Sequence, residues 1–329
     1  MSKRKVAVIG LGSMGKRRIR LINQYDSTIS IVGIDSNISR RNEIEEQYRI
    51  HTYATIEEAI SNQTMTAIFV CTSPISHKDI IIEALSFGLN VFTEINLLND
   101  YYDQVIHLAK EKGLLLYLSS TFLKRREIQY LIKEIKNDSN VSYQYHVGQY
   151  LPDWHPWEDY RDFFVSDLRT NGCREIMAIE FPWLIEAFGN VTNFTIEKHK
   201  YSTLEIGYPD SYSILFRHET GIQGTININV VSRQAKRDLI VIGENLQVEW
   251  GGNPNSLSRW NNREKKMDKV NLYKDSDIDK NDSYSTTIIE NAYFEEVHEF
   301  FECLDNCKLP SYTFQKDKKI IDLINMIEG

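Results

Sequence analysis

Gly10-Leu11-Gly12-Ser13-Met14-Gly15 carries glycine at its first, third and sixth positions, between the apolar run Lys5-Val6-Ala7-Val8-Ile9 and a basic helical stretch. Strand, glycine turn and helix in that order make an anion cradle. The first glycine permits the tight turn, the second lets the backbone approach a pyrophosphate, and the third lets the helix pack close to the strand. The helix start, with Ser13 and Met14, turns free N–H groups toward the anion. A second apolar strand, residues 29–34, ends in Asp35, 20 residues after Gly15, where such folds place a ribose-binding acid. A carboxylate there bonds both ribose hydroxyls and repels a 2′-phosphate, which favours NAD over NADP. Arg40 and Arg41, five and six residues on, weaken that preference and keep NADP open.

A second concentration of chemistry lies in residues 150–164, Tyr-Leu-Pro-Asp-Trp-His-Pro-Trp-Glu-Asp-Tyr-Arg-Asp-Phe-Phe. Trp154 and Trp157 offer faces that stack on apolar ring surfaces of a sugar, while Asp159 and Arg161 offer groups for its hydroxyls. A packing lid or a subunit contact would use the same residue types. His155 is the nearby imidazole able to move a proton near neutral pH, and Tyr160 is the next choice. Downstream, Gly172 opens a helical stretch with Arg174, Glu175 and Glu180. A separation of five residues is about 500° of helix, so Glu175 and Glu180 do not form a dyad. One carboxylate is expected to pair with Arg174 and the other, Glu180, to face a cleft; an ordinary solvated helix is the alternative.

Apolar strands and helices alternate after Asp35: helix 41–48, a short strand near 52–53, helix 56–61, the buried run 67–71, then Thr72-Ser73-Pro74-Ile75-Ser76-His77 leading into a helix. Strand 90–93 ends in Glu94-Ile95-Asn96, and helix 102–112 and strand 114–119 close the unit. That order implies a doubly wound parallel sheet over residues 1–121. Residues 122–329 read as a second, α+β domain with strands at 141–148, 194–197, 211–216, 224–231, 237–242 and 246–250. A polar excursion at 251–284 and helices at 291–304 and 317–327 follow. Ile226, Ile228 and Val230 share one strand face and look exposed, which predicts a homo-oligomer, dimer or tetramer.

The succession G-x-G-x-x-G, an acid after the second strand, T-S-P-x-x-H and A-L-x-x-G-x-x-V-x-x-E resembles the Gfo/Idh/MocA oxidoreductases, which act on sugars, nucleotide-sugars and cyclitols. The resemblance runs the whole length of the chain. It implies cofactor contacts from Thr72, Ser73, Pro74 and Glu94, with His77 holding the loop or nicotinamide geometry. It also implies an open, largely antiparallel sheet beside the substrate. The family's Glu-Lys-Pro stands here as Glu94-Ile95-Asn96, and an isoleucine can neither protonate nor orient an oxygen. Its D-x-x-x-H falls on Ile176 and Glu180, or, shifted by one, brings Glu175 to the Asp; no shift supplies the histidine. Catalysis is thus expected from His155, Tyr160 or Glu180, and substrate binding from Trp154, Trp157, Asp159, Arg161, Arg174 and Glu175. The W-H-P-W-E-D-Y segment resembles a subgroup linked to bacterial surface-sugar synthesis, including nonulosonic acids.

The 329 residues are 42% hydrophobic and 26% charged with net charge −8, a balance that disfavours nucleic-acid phosphate. Basic residues near the glycine turn, Lys16, Arg17, Arg18 and Arg20 among them, are expected to form a solvated helix face. No apolar run has the eighteen or so residues of a membrane span, and the start is not of signal type, so a cytoplasmic protein is expected. Four scattered cysteines suggest neither a disulfide framework nor a metal site. Two functions remain: an NAD(P)-dependent oxidoreductase of a sugar or nucleotide-sugar, or a dinucleotide-binding protein without redox turnover that serves as sensor or partner subunit.

Overall fold

The structure is a computed structural model that describes residues 4–155, 158–273 and 289–329. The chain divides into two compact units, Met1–Ser120 with Tyr293–Asp322, and Thr121–Ala292 with Leu323–Gly329. Residues 293–322 thus join the first unit, whereas the sequence reading leaves all of 122–329 in the second.

The first unit alternates β1 (Lys5–Ile9), α1 (Ser13–Tyr25), β2 (Ser30–Ile34), α2 (Ile38–Tyr48), β3 (Thr52–Tyr53), α3 (Ile56–Asn62), β4 (Ala67–Val70), α4 (His77–Ser86), β5 (Asn90–Thr93), α5 (Tyr102–Lys112) and β6 (Leu116–Leu118). All the strands pair in parallel, in the order β3-β2-β1-β4-β5-β6. Their near-continuous burial is what a sheet covered on both faces demands. The order reverses between β1 and β4, and a crevice opens at the carboxyl ends of strands at such a switch point. The glycine turn, Asp35, Thr72 and Glu94 all follow carboxyl ends of these strands. Helix α2 starts three residues before its apolar spacing suggests, because the Asn37 side chain caps it, accepting from the Ser39 and Arg40 N–H groups at 2.9 and 3.3 Å.

The second unit holds α6 (Arg126–Asn137), β7 (Val141–Gly148), α7 (Gly172–Phe188), β8 (Val191–His199), β9 (Ser211–His218), β10 (Gln223–Asn229), β11 (Lys236–Gly243), β12 (Gln247–Trp250), β13 (Ser258–Asn261) and β14 (Lys266–Lys269). The sheet order is β14-β13-β12-β11-β7-β10-β9-β8, antiparallel except where β7 and β10 run together. β13 and β14 lie inside the stretch expected to be an exposed excursion. Their apolar content is nearly confined to Trp260 and Met267, so pairing with β12 makes them strands where no alternation announces them. Ile226, Ile228 and Val230 do share a face, but they are 2%, 0% and 0% exposed, and Val230 packs against the start of α7 at Gly172. The oligomer expectation therefore loses those three residues.

α8 (Glu290–Asn306) and α9 (Phe314–Glu328) close the chain. Within the first unit Phe300 of α8 lies edge-on to Phe69, Phe92 and Tyr117 of three neighbouring strands, at 5.0, 5.7 and 5.9 Å between rings. That burial returns 293–322 to the first unit. Among the described residues no helix is long and apolar enough to cross a membrane.

Candidate functional site

The three motif glycines answer different needs. Gly10 has φ +88°, and a Cβ there would stand 2.8 Å from the Cys71 carbonyl. A Cβ on Gly15 would fall 2.0 Å from the Gly10 oxygen, so the packing of helix on turn requires both. Gly12 is another matter: a Cβ there would meet nothing within 4 Å. The fold has no need of glycine at that point, and Gly12 caps α1 with no side-chain hydrogen bond to the helix start. A bare backbone facing open space at a helix N-terminus fits a pyrophosphate. Ser13 is exposed beside it, and the Met14 sulfur accepts from Arg17 Nη1 at 3.0 Å.

Asp35 completes the cradle. Its Oδ2 accepts from the Leu11 N–H and its Oδ1 from the Asn37 N–H, each at 2.8 Å. Each oxygen keeps a lone pair, which suits the two hydroxyls of a ribose. Across the crevice rim, Ser76 Oγ donates to Thr72 Oγ1 at 2.8 Å, Ser73 is exposed, and Pro74 begins the short turn into α4. His77 is buried, with Nε2 3.0 Å from the Thr72 carbonyl and Nδ1 2.5 Å from the Asn96 side-chain oxygen. Burial lowers its pKa against the pull of those two partners. It ties the turn after β4 to the segment after β5, a positioning task rather than proton transfer.

Two expectations in this unit need correction. Glu94 does not present its carboxylate: Oε1 and Oε2 accept from Arg18 Nε and Nη2 at 2.6 and 3.1 Å. Arg18 is no part of a solvated face either. It is 0% exposed, bonds Glu296 at 2.7 Å and the Tyr293 carbonyl at 3.0 Å, and lies 4.5 Å over the Phe92 ring. Arg17 is buried as well, its guanidinium 4.5 Å over the ring of Tyr293. Burial pushes the Glu296 carboxyl up while Arg18 pulls it down, and Ser119 and the Ser120 N–H, each at 2.8 Å, hold its other oxygen. A signal for Arg18 was present in the sequence: Gly15, Arg18, Ile19 and Ile22 fall at i, i+3, i+4 and i+7, so the arginine stands in the buried stripe.

In the second unit α7 starts at an Asn171 cap, whose side-chain oxygen accepts from the Arg174 N–H at 2.8 Å. Glu180 does not face a cleft. It is 0% exposed, and its oxygens accept from Tyr145 Oη at 2.7 Å, Trp183 Nε1 at 2.8 Å and Arg237 Nε at 2.8 Å. Arg174 pairs with neither expected carboxylate; it reaches Glu328 and Asn325 of α9. Glu175 is different: its Oε2 is buried with no hydrogen-bond partner among the described residues, and burial pushes its pKa up to about 7. Nearby, Tyr208 Oη accepts from the Gly172 N–H at 3.2 Å and donates to the Val165 carbonyl at 2.7 Å, pinning the helix start to the end of the aromatic loop.

That loop folds largely on itself. Trp154 Nε1 donates to the Gln149 carbonyl at 3.2 Å, and Tyr160 Oη accepts from the Glu205 N–H at 3.1 Å. Asp159 and Arg161 pair at 2.6 Å, and Arg161 also reaches Glu205 at 2.9 Å; the Arg161 guanidinium, with the Arg161 N–H, draws the exposed Asp159 carboxyl down to about 2. His155 lies against Phe163 with ring centres 4.5 Å apart and Nδ1 3.9 Å from Glu158, and burial lowers its pKa. The space enclosed by Leu151, Trp154, His155, Tyr160, Phe163 and Val165 is about 10 Å³, room for one water molecule. Trp157 lies outside the described residues. His155 and Tyr160 are therefore brought together, whereas Glu180 belongs to the core beneath the sheet.

Residues 4–120 match the family model described as "Oxidoreductase family, NAD-binding Rossmann fold", that of Gfo/Idh/MocA. Human biliverdin reductase A is 25% identical over 201 residues, 59% of this chain and 62% of that protein, so the match spans under two thirds of the relative's length. Among solved structures, the WlbA dehydrogenase of Bordetella pertussis, in complex with NADH and UDP-GlcNAcA, superposes with a TM-score of 0.76 at 16% identity, covering 99% of this chain and 95% of that one. Levoglucosan dehydrogenase, in complex with NADH and L-sorbose, gives 0.78 at 12% identity, covering 98% and 95%. At such identities the likeness is one of fold. Over residues 4–120 the first unit, with its glycine turn and parallel sheet, is similar to the NAD-binding Rossmann domain of the Gfo/Idh/MocA oxidoreductase family.

Proposed function

We propose that the protein is an NAD(P)-dependent oxidoreductase acting on a sugar or nucleotide-sugar, in the synthesis of bacterial surface glycans such as those built on nonulosonic acids. The observation that carries the reading is the glycine cradle beside Asp35, in a chain whose fold follows sugar and nucleotide-sugar dehydrogenases through the second unit as well. NAD supplies or accepts the hydride when bound. The chain's own residues bind its pyrophosphate (Gly10, Gly12, Ser13, Met14, Gly15) and ribose (Asp35), shape the crevice rim (Thr72, Ser73, Pro74, His77) and position it through Glu94 and Arg18.

A proton must move at the substrate oxygen as the hydride moves. His155 and Tyr160 remain candidates, with Trp154, Trp157, Asp159 and Arg161 in the loop as substrate contacts. The buried, unpartnered oxygen of Glu175 and its pKa near 7 favour that carboxyl over His155, whose half-buried ring lies against Phe163. Arg174 and Glu180 act by holding α7 in place. A homo-oligomer is part of the same reading. The sheet face opposite Tyr143 and Tyr145 carries a shallow trough of about 530 Å³ along Gln144, His146, Ser213, Thr225 and Asn227, a surface for a second copy.

The test is absorbance at 340 nm with purified protein, NAD or NADH, and a panel of sugars and nucleotide-sugars in both redox states. Biliverdin, which the curated relative is named for, serves as the non-sugar member. Turnover of a sugar compound supports the reading, and turnover of biliverdin alone overturns it. Cofactor binding with no turnover across the panel would support the sensor or partner-subunit function instead.

A further inference from the structure

His77 and Asn96 raise a question of proton count. His77 Nε2 faces the Thr72 carbonyl at 3.0 Å, so that nitrogen carries hydrogen, and a buried neutral imidazole then has a bare Nδ1 that can only accept. Nδ1 stands 2.5 Å from the Asn96 oxygen, and Thr93 Oγ1, at 3.3 Å, has its hydrogen on the Glu94 carbonyl at 3.2 Å. In that orientation of the amide acceptor meets acceptor, and Asn96 Nδ2 is left buried with no hydrogen-bond partner among the described residues. Turned over, the amide donates to Nδ1 and leaves its oxygen beside the Tyr102 hydroxyl, the group on which the amide acts. Tyr102 Oη is in turn 2.5 Å from Asp317 Oδ2, and Tyr312 Oη donates to Oδ1 at 2.7 Å. Asp317 is 3% exposed with no cation paired to it among the described residues, and burial pushes its pKa up to about 6. The other titratable neighbours are Tyr101 on the Asp317 side and, on the His77 side, Glu94, which Arg18 holds. All these groups belong to the first unit.

We propose that Asp317 is a carboxylic acid at neutral pH and closes a buried chain of hydrogen bonds that makes Asn96 a positioning residue for the crevice rim. Asp317 O–H donates to Tyr102 Oη, Tyr102 O–H to the Asn96 oxygen, Asn96 N–H to His77 Nδ1, and His77 Nε2–H to the Thr72 carbonyl. If Asp317 loses its proton, Tyr102 gives its own hydrogen to the carboxylate, the Asn96 oxygen goes without a donor, and the chain breaks in the middle. That linkage holds the acid proton more tightly than burial alone does. The chain ties the turn after β4 and the segment after β5 to the start of α9. Asn96 stands where the Glu-Lys-Pro motif has proline, which has no side-chain donor or acceptor, so the chain is a feature of this sequence and not of the motif. Its effect on NADH rests on the reading of that rim as part of the dinucleotide crevice; the acid at Asp317 does not.

Infrared difference spectra of the purified full chain at about pH 7.5 test the acid, and NADH titration followed by nicotinamide fluorescence tests the rim. The parent should show a carboxylic-acid carbonyl band that Asp317→Asn removes. Asn96→Leu should lose the same band, because an acid cut off from the chain is ionised at that pH. In ¹⁵N-histidine spectra His77 should be neutral with its hydrogen on Nε2. Asp317→Asn, whose amide N–H stands in for the acid hydrogen, should keep the parent's melting temperature, whereas Asn96→Leu should weaken NADH binding about tenfold. An ionised Asp317 in the parent, a doubly protonated His77, or a melting temperature lowered by more than about 5 °C in Asp317→Asn overturns the chain. Asn96→Leu that binds NADH as tightly as the parent overturns the positioning role. Parent protein that binds no NADH would overturn the cradle assignment instead, and the infrared band would still decide the chain.

Discussion

At the carboxyl ends of β1 and β2, polar groups are left with capacity to spare: the bare backbone at Gly12, the lone pairs of Asp35, the half-open Arg40. Around α7 and the aromatic loop the polar groups have mostly used each other up. Glu180 holds Tyr145, Trp183 and Arg237; Arg174 holds α9; Asp159 holds Arg161. Both regions are rich in residue types that can do chemistry. Capacity left unspent, rather than residue type, marks a group for a ligand, and by that measure Glu175 is the member of the α7 region that resembles the cradle.

The largest effect should come where capacity is fully spent. Glu180→Ala would strand a buried tyrosine hydroxyl and an indole N–H and remove a carboxylate from Arg237, and should destabilise the protein by about 3–5 kcal/mol in denaturant unfolding. A loss below about 1 kcal/mol would mean that Glu180 is not the hub of that network. Next comes the cradle: Gly12→Val should weaken NADH binding at least about a hundredfold with an unchanged melting temperature, since a Cβ at that point meets no protein atom within 4 Å. Gly15→Val should instead unfold the turn, because its Cβ collides with the Gly10 oxygen. Equal damage to folding from both variants would erase the distinction between a structural and a ligand-facing glycine.

Glu175→Gln should lower kcat by about a hundredfold and remove a pH-rate limb near neutrality, where His155→Asn should chiefly raise KM. The opposite split would return proton transfer to His155. The same Glu175 variant has a thermodynamic signature. A carboxyl whose pKa is raised on folding from 4.5 to about 7 contributes stability that is complete below 4.5 and lost as pH rises through about 7. Glu175→Gln, which cannot ionise, should therefore match the parent at pH 4 and exceed it at pH 8 by about 1–3 kcal/mol. No gain at alkaline pH would mean that the carboxyl has a partner or water. The smallest effect belongs to the exposed pair: Asp159→Asn should leave the melting temperature where it was. Loss of substrate affinity in that variant, with stability intact, would restore Asp159 to the substrate site.

The first unit was legible from the chain because its determinants are local. A glycine needed for φ +88°, a helix beginning at the next turn and an acid at the end of the following strand are set by backbone conformation and short spacing. The same holds for the strands at 90–93 and 141–148 and the helix at 102–112, which stand at the residues their patterns indicate. β13 and β14 were not legible, since a polar strand is recognised only by its neighbour's hydrogen bonds. Nor was the fate of the charged groups: Glu94 is met by Arg18, Arg18 by Glu296, Glu180 by Tyr145 and Arg237, and Arg174 by Asn325, partners from 35 to 278 residues away. The sequence alone determined the glycine turn between β1 and α1 and the acid at the end of β2. Which carboxylates remain open to a ligand was decided only by tertiary structure, because whether a charge is spent depends on burial and on partners that only the folded chain brings within hydrogen-bonding distance.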